Sequence, residues 1–201
     1  MYLAINEGDP VFGDAAQVQL LFDVAHSRLK QTGDPCGRIE HRVITMPNAV
    51  VPSRALSALF NVPTLTAYRD GADYMYLAND DLVLESTGWT SSFVEALQSN
   101  PLTANLGVAG AADTSDTVTP QIEFPFFHRT HVELFEWCGA NPWVFRNWWE
   151  DNWVTDIYLP FNSVFYMQQV TVRNYGGLVE ASGKGSRGAT DPRYKLSGGR
   201  R

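Results

Sequence analysis

Three consecutive residues with oxygen-bearing side chains, Asn79, Asp80 and Asp81, are the strongest candidates for chemistry in this sequence. They directly follow a short apolar and aromatic run, Tyr74–Ala78, whose length and composition predict a strand buried on both faces in a parallel sheet. Carboxylate and amide oxygens are hard donors that bind divalent cations, and open α/β sheets place their ligands at the carboxyl ends of the strands. The segment therefore indicates a metal site, with an Asx-rich turn between strand and helix as the ordinary alternative.

The composition is that of a globular chain, with 44% hydrophobic and 18% charged residues in a total of 201. A chain of this length can bury one substantial core, and we expect one domain. The formal net charge of −7 argues against a nucleic-acid-binding surface, because such a surface needs clustered Lys and Arg to neutralise phosphates. Any polyanionic ligand would need an accompanying cation.

The two cysteines, Cys36 and Cys138, are far apart and form no CxxC pair. The sequence therefore predicts neither a zinc knuckle nor a disulfide framework. No apolar run reaches the length of a membrane span, and the first residues resemble a strand rather than a basic and apolar leader. The sequence encodes no compartment, so both the secretory pathway and the cytoplasm are compatible with it, as is a fragment of a longer protein.

Strands and helices are expected to alternate around the acidic segment. Asp14 is predicted to cap a first helix that extends to about Lys30, and Pro63 is expected to break a later helical region into two helices. Alternation of this kind predicts a doubly wound α/β sheet. Residues 181–201 are rich in Gly, Ser, Lys and Arg, and we expect them to form a mobile tail. The other predicted elements are strands at Tyr2–Ile5, Arg38–Thr45, Leu106–Ala111 and Ser163–Val172, and helices at Gly88–Asn100 and Arg129–Glu136.

Several motifs occur together in an order that is typical of one family. They are NEGDP after the first strand, GADYMYLANDDL followed by GW and a helix, NLGVAGAADTSD, FFHRTHVELF and NWWEDNWVTDIY. Over most of residues 2–194 the chain resembles the nucleotide-diphospho-sugar glycosyltransferases of the GT-A fold, with a family-2-like character. The resemblance implies an α/β domain over residues 1–180, with a mostly parallel central sheet flanked by helices. It also implies a hexosyltransferase-like enzyme that moves a sugar from a UDP- or GDP-sugar to a glycan or other hydroxyl acceptor.

The resemblance assigns a metal-binding role to the acidic segment. In this fold a DxD-type motif binds the divalent ion, Mn²⁺ or Mg²⁺, that bridges the donor diphosphate. Asn79 and Asp81 match the outer positions of that motif, and Asp80 lies between them. The amide of Asn79 can coordinate an ion but contributes no charge. His128 is a further candidate ligand for the metal or a phosphate, with a hydrogen-bonded structural histidine as the alternative.

A second set of residues is predicted to bind the nucleotide part of the donor. Asn6, Glu7 and Asp9 match the loop that holds the base and ribose in the family. Arg54 is expected to approach the diphosphate or the base, and Asp80 belongs to the same donor-binding set. A solvated acidic turn is the alternative for the loop, and an ordinary surface charge is the alternative for Arg54.

The late motif supplies the candidate catalytic base, which inverting members of the family take from an acidic residue in this region. Asp151 is the first candidate and Glu150 the second, because Asn152 stands where another aspartate is expected. A carboxylate beside Trp148 and Trp149 would be desolvated, which raises its pKa and makes it a better proton acceptor. The alternative is a pair of acids that stabilise the first turn of a helix through its dipole.

Other classes of protein fit the sequence less well. A nucleotidyltransferase of related fold would carry a Gly-rich and basic phosphate loop after its first strand, and NEGDPVFGD has neither property. The same loop contains no GxGxxG or GxxxxGK[ST] motif, which disfavours a Rossmann dehydrogenase or a P-loop NTPase. The main alternative is a non-catalytic carbohydrate- or nucleotide-sugar-binding protein of the same fold, because Asn79 and Asn152 replace carboxylates.

Overall fold

A computed structural model describes residues 1–10, 12–32, 40–51, 55–114, 121–136, 138–145 and 149–175, with the side chains of Leu29 and Thr32 excepted. The predicted tail and Arg54 lie outside these ranges. The chain divides into two compact units. Unit 1 comprises Met1–Ala72 and Phe135–Asn147, and unit 2 comprises Asp73–Leu134 and Trp148–Arg201.

Unit 1 contains a two-stranded parallel sheet whose strands are joined by a helix, as the sequence predicts. The strands are β1 (Tyr2–Asn6) and β2 (Arg42–Met46), and the helices are α1 (Ala15–Thr32) and α2 (Leu56–Arg69). Asp14 Oδ1 accepts a hydrogen bond from Ala16 N at 2.8 Å, which confirms the predicted cap of α1. Val18 and Phe22 are buried, whereas Leu21 is 48% exposed.

Helix α2 is continuous through Pro63, so the prediction of two helices is wrong. An interior proline removes one helical hydrogen bond, and the buried face of α2 offsets that loss. The side chain of Asn61, on this face, donates from Nδ2 to Asn141 O at 2.6 Å and accepts from Ala140 N and Asn141 N, each at 3.0 Å. Cys138, which lies shortly before Ala140 and Asn141, is a buried free thiol, and burial raises its pKa to about 11.

Unit 2 contains a five-stranded mixed sheet in the order β3-β6-β5-β7-β4. Neighbours β5 and β7 are parallel, whereas the pairs β3–β6, β5–β6 and β4–β7 are antiparallel. The α/β class is confirmed, but the described residues do not form the mostly parallel sheet that the resemblance implies. The strands are β3 (Tyr74–Tyr76), β4 (Leu82–Leu84), β5 (Val108–Asp113), β6 (Phe126–His128) and β7 (Val164–Asn174).

Three helices and a 3-10 turn complete the described part of unit 2. They are α3 (Trp89–Gln98), α4 (Thr130–Leu134), α5 (Glu150–Tyr158) and the turn Leu159–Phe161. Helix α3 buries Phe93 and Leu97 completely against a core that includes Ala109, Phe126 and Val170. Among the described helices of the chain, none is long and apolar enough to cross a membrane.

Strand β4 is an element that the sequence does not predict. It pairs with the end of β7, with Leu82 opposite Asn174 and Leu84 opposite Val172. Its side chains are largely exposed, with Val83 at 45% and Leu84 at 38%. Its three residues are apolar, but the run is too short to predict a strand, and backbone pairing with a distant segment defines it.

Candidate functional site

The acidic turn, Leu77–Asp81, joins β3 to β4 and contains the three residues predicted to bind metal. Asn79 and Asp80 are exposed, whereas Asp81 is half-buried and its Oδ1 atom is enclosed by protein. The turn therefore presents one amide and one carboxylate to solvent, next to a second carboxylate that is partly withdrawn from it. At the end of the turn, Leu82 N donates a hydrogen bond to Asn79 O at 3.4 Å.

Backbone hydrogen bonds fasten the two ends of the acidic turn to the sheet. At the start, Leu77 N donates to Pro125 O at 3.0 Å, just before β6. At the end, Tyr175 N donates to Asp81 O at 2.9 Å, just after β7. The turn is thus anchored on both sides, and the exposed Asn79 and Asp80 lie between the anchors.

The strand directions place the acidic turn at the edge where three strands end. Because β6 is antiparallel to both β3 and β5, these two strands run in the same direction, and β7 is parallel to β5. The carboxyl ends of β3, β5 and β7 therefore lie at one edge of the sheet, and the turn leaves β3 there. The turn thus lies at the carboxyl end of a strand, as predicted, and ligand binding at this edge, which is common in open α/β sheets, stays a prediction.

The position of β3 within the sheet differs from the prediction. It is the outermost strand of the five, not a central strand buried on both faces. Met75 is buried, but Tyr74 and Tyr76 are half-buried. Their rings pack against Phe126, and burial strongly raises the pKa of the Tyr76 phenol, which therefore stays protonated. Aromatic packing explains the apolar character of this run without a second flanking strand.

Further polar side chains lie at the same edge, and sequence reasoning missed them. Glu85 Oε1 forms an ion pair with Arg173 Nε at 2.8 Å, although the two groups are not aligned as a hydrogen bond. Glu85 Oε2 accepts a hydrogen bond from Thr114 Oγ1 at 3.2 Å. Asp113 Oδ1 accepts from Asn174 N at 3.4 Å. An acid at the end of an apolar strand was a usable signal for Asp113, whereas no local pattern marks Arg173 or Glu85.

The structure does not bring His128 together with the acidic turn. His128 is the last residue of β6 and pairs with Tyr74, the first residue of β3, so it lies at the amino end of the strand whose carboxyl end bears the turn. Its Nδ1 accepts a hydrogen bond from Thr130 N at 3.2 Å and lies 2.7 Å from Thr130 Oγ1. Its ring packs edge-on against Tyr74. These contacts support the structural alternative for His128.

Burial lowers the pKa of His128 from its usual value, and the nearby carboxylates of Asp73 and Glu133 offset that effect in part. The unfolded chain therefore binds a proton more readily than the folded protein does. Stability linked to this group is fully present above the unfolded pKa of 6.5 and is lost as the pH falls below it.

We expect His128→Gln to reduce the loss of thermal stability on acidification, because it removes the group that takes up a proton on unfolding. The measurement is the change in Tm between about pH 7.5 and about pH 5.5, a range that spans the ordinary histidine pKa. The wild-type protein should lose more Tm over this range than the variant. Equal losses would show that His128 does not contribute to acid sensitivity.

Glu150 and Asp151 lie in the first turn of α5. Asp151 Oδ1 accepts a hydrogen bond from Asn152 N at 2.8 Å, so it satisfies a backbone donor of the helix start, as the dipole alternative predicts. Trp149 precedes them with φ 81° and is 66% exposed. Trp148 lies outside the described residues, so the predicted desolvation by two indole rings stays a prediction.

The inner face of α5 is fixed to unit 2 by buried contacts. Thr155 Oγ1 accepts from Ile122 N at 3.4 Å, and Tyr158 Oη lies 2.8 Å from His131 Nδ1. Val154 is buried on the same side, and α5 packs against β5. Both acidic motifs therefore belong to unit 2, one at the carboxyl edge of its sheet and one on the helix that packs against β5.

The predicted nucleotide loop belongs to unit 1 and follows β1. Asn6 is the last residue of β1, and its Oδ1 is buried without a hydrogen-bond partner among the described residues. Glu7 Oε2 accepts from Asn48 N at 3.1 Å, and Asp9 Oδ1 accepts from a backbone N–H three residues ahead at 2.7 Å. Glu7 and Asp9 therefore stabilise the loop itself, whereas Asn6 retains an unused acceptor. Arg54 lies outside the described residues.

The acidic turn has the donor types of a site that shares its metal ion with a ligand. Within the described ranges, no group of three or more His, Cys, Asp or Glu side chains is arranged to hold an ion. The amide of Asn79 with the carboxylates of Asp80 and Asp81 suits a Mg²⁺ or Mn²⁺ site that takes one or two protein carboxylates and completes its ligands with phosphate oxygens and water.

Comparison of the chain with protein-family models, with curated proteins and with solved structures finds no match. Function is therefore inferred from the residues and from where the fold places them.

Proposed function

We propose that this chain is a metal-dependent glycosyltransferase that moves a sugar from a nucleotide diphosphate donor to a hydroxyl acceptor. The observation that carries the proposal is the acidic turn, with its two carboxylates and one amide at the edge where β3, β5 and β7 end. A protein of net charge −7 repels a diphosphate unless a cation accompanies it. The ordered motifs around the turn, which resemble those of GT-A glycosyltransferases, favour a sugar nucleotide over other diphosphates.

The GT-A fold, with its mostly parallel sheet, is part of the proposal. The two strands of unit 1 are parallel. In unit 2 the strands β3, β5 and β7 all run in one direction, although antiparallel β6 separates β3 from β5. Unit 1 therefore contains a parallel strand–helix–strand arrangement and unit 2 contains three co-directional strands, and this pattern is what supports the finer fold assignment.

Asp81, Asp80 and the amide of Asn79 are the residues that would hold Mn²⁺ or Mg²⁺. The ion, when bound there, supplies positive charge that offsets the charge developing on the departing nucleotide diphosphate. The proposed donor is a UDP- or GDP-sugar.

Asp151, with Glu150 as the second candidate, is the proposed base for an inverting transfer. The acceptor oxygen forms its bond to the anomeric carbon as the bond from that carbon to the diphosphate oxygen breaks, and the acceptor proton goes to the carboxylate. The transition state resembles an oxocarbenium ion, as in glycoside hydrolysis. The hydrogen bond from Asn152 N uses Oδ1 of Asp151, so the other carboxylate oxygen, Oδ2, would accept the proton.

A second candidate function has a specific observation in its favour. Asp151 contributes a hydrogen bond to its own helix, and Asn79 and Asn152 stand where carboxylates are expected. A protein with these properties binds a sugar nucleotide or a glycan of related chemistry without turning it over. This non-catalytic GT-A-fold binding protein is distinguished from the enzyme by turnover alone.

The deciding experiment measures release of the nucleotide diphosphate from UDP- and GDP-sugars, with Mn²⁺ and with EDTA. We expect slow donor hydrolysis with Mn²⁺ and none with EDTA, because the acidic turn needs the cation to bind the diphosphate. A double variant, Asp80→Ala with Asp81→Ala, is the inactive control. Metal-dependent binding without release, even with glycan acceptors present, would favour the binding protein, and absence of both would exclude the enzyme and a sugar-nucleotide-binding protein.

A further inference from the structure

The segment Asp81–Ser86, here called the strap, leads from the acidic turn to the start of α3. Its middle is β4, a strand of three residues at the outer edge of the sheet. Its ends are held by backbone hydrogen bonds to β7 and the residue after it. These bonds are Tyr175 N to Asp81 O at 2.9 Å, Glu85 N to Thr171 O at 3.0 Å and Ser86 N to Thr171 O at 3.3 Å.

Strand β7, to which the strap is hydrogen-bonded, has an irregular pairing with β5 just before the strap residues bond to it. Along the β5–β7 pair, Ala111 lies opposite Met167, but the next residue, Ala112, lies opposite Thr171. Residues 168–170 of β7 therefore have no partner residue in β5. Such a bulge interrupts the ladder and re-aims the strand, and bulges are frequent beside functional sites. Here the bulge shifts the end of β7, which is the part that pairs with β4.

The hydroxyl of Ser86 closes the bulge. It accepts a hydrogen bond from Thr171 N at 2.8 Å and lies 3.0 Å from Thr171 Oγ1. Its oxygen is also 3.5 Å from Gln169 O, at the limit of a hydrogen bond. The Ser86 side chain thus forms hydrogen bonds with β7 backbone groups that the interrupted β5–β7 ladder does not use. The two strap amides that donate to Thr171 O belong to Ser86 itself and to Glu85.

Glu85 adds a second side-chain attachment of the strap. Its carboxylate pairs with Arg173 on β7 and accepts from Thr114 directly after β5. The ion pair is partly exposed, so we assign it a smaller effect than the hydroxyl. Ser86 and Glu85 together connect the strap to the ends of both parallel strands, β5 and β7.

We propose that Ser86 is a positioning residue for the acidic turn. By closing the bulge of β7 it fixes the register of β4, and the register of β4 fixes the place of Asp80 and Asp81 relative to the strand ends. A metal ion that bridges to a diphosphate tolerates little displacement of its protein ligands. Loss of the Ser86 hydroxyl should therefore weaken metal-dependent nucleotide binding more than it lowers the stability of the fold. The inference rests on the proposed function, because it presumes that the acidic turn binds a metal-bound nucleotide diphosphate.

The test measures UDP and GDP affinity of the full chain with Mn²⁺ and with EDTA, together with Tm without ligand. Ser86→Ala should weaken the Mn²⁺-dependent affinity by about 10- to 100-fold, the usual loss when a residue that orients metal ligands is removed. Ser86→Thr, which retains the hydroxyl, should bind close to wild type. Ser99→Ala is the matched control, because it removes a serine hydroxyl from the exposed end of α3, where that hydroxyl donates to Ala96 O.

The outcomes separate this inference from the function on which it rests. Lack of Mn²⁺-dependent binding by the wild-type protein overturns the proposed function. If the wild type binds, then wild-type affinity in Ser86→Ala, or a loss in Ser86→Thr as large as in Ser86→Ala, overturns the positioning role alone. If Ser86→Ala does not fold, Ser86→Cys provides the test: its thiol is a weaker hydrogen-bond acceptor for Thr171 N, so it should weaken Mn²⁺-dependent binding, and unchanged binding overturns the inference.

Discussion

Replacing Asp81 by Ala is expected to abolish the Mn²⁺-dependent part of nucleotide-diphosphate binding while leaving the fold intact. A ligand that binds the folded state raises its stability by mass action, about 2.7 kcal/mol at 100 times the dissociation constant. The wild-type protein should therefore show a larger increase in Tm with UDP or GDP in Mn²⁺ than in EDTA. Asp81→Ala should show the same small increase in both, because the half-buried carboxylate that anchors the ion is gone.

The fold should survive this change for a structural reason. Asp81 is fastened to the sheet by its backbone carbonyl, which accepts from Tyr175 N and is retained in alanine. Asp23→Ala is the matched control, because it removes one carboxylate from α1 in unit 1, where Asp23 accepts from Gln19. The acidic turn is not a metal site if UDP or GDP stabilises the wild-type protein equally in Mn²⁺ and in EDTA.

The parts of the fold that the sequence predicts are those set by local physics. The alternation of β1, α1 and β2 follows from short apolar runs, the Asp14 cap and the buried Val18 and Phe22, all of which are local signals. Pro63 shows where local signals fail. Its cost to α2 is offset by hydrogen bonds between Asn61 and residues about 80 positions later, which no window of sequence contains.

The candidate site also has one part that local sequence signals predict and another that depends on long-range contacts. Oxygen donors at the end of an apolar run identify Asn79–Asp81, and the strand directions place them at a carboxyl edge. The strap on which they depend was missed because Ser86 and Glu85 acquire their roles through Thr171 and Arg173, about 85 positions away. Long-range pairing of this kind also gives the sheet its mixed direction, which alternation of strands and helices alone does not determine.

Asp151→Asn is expected to lower the rate of sugar transfer by about 10² to 10⁴, the contribution typical of a positioned proton acceptor. The change is nearly isosteric, and the amide oxygen of asparagine can still accept from Asn152 N, so the start of α5 should be preserved. Donor affinity should therefore be unchanged while kcat falls. The measurement is kcat with a saturating donor and a glycan acceptor, with donor affinity and Tm determined on the same preparation.

Two further variants on α5 show which role the acids play. Glu150→Gln tests the second candidate base, and Asp156→Asn removes an exposed carboxylate from the far end of the helix, where no catalytic role is proposed. A large kcat loss in Glu150→Gln with full activity in Asp151→Asn reverses the assignment of the base. If the acids serve the helix dipole alone, both first-turn variants keep their kcat and each loses about 0.3 to 1 kcal/mol of stability. Asp156→Asn escapes that loss, because the dipole disfavours an acid near the carboxyl end of a helix, and this contrast separates proton transfer from helix stabilisation.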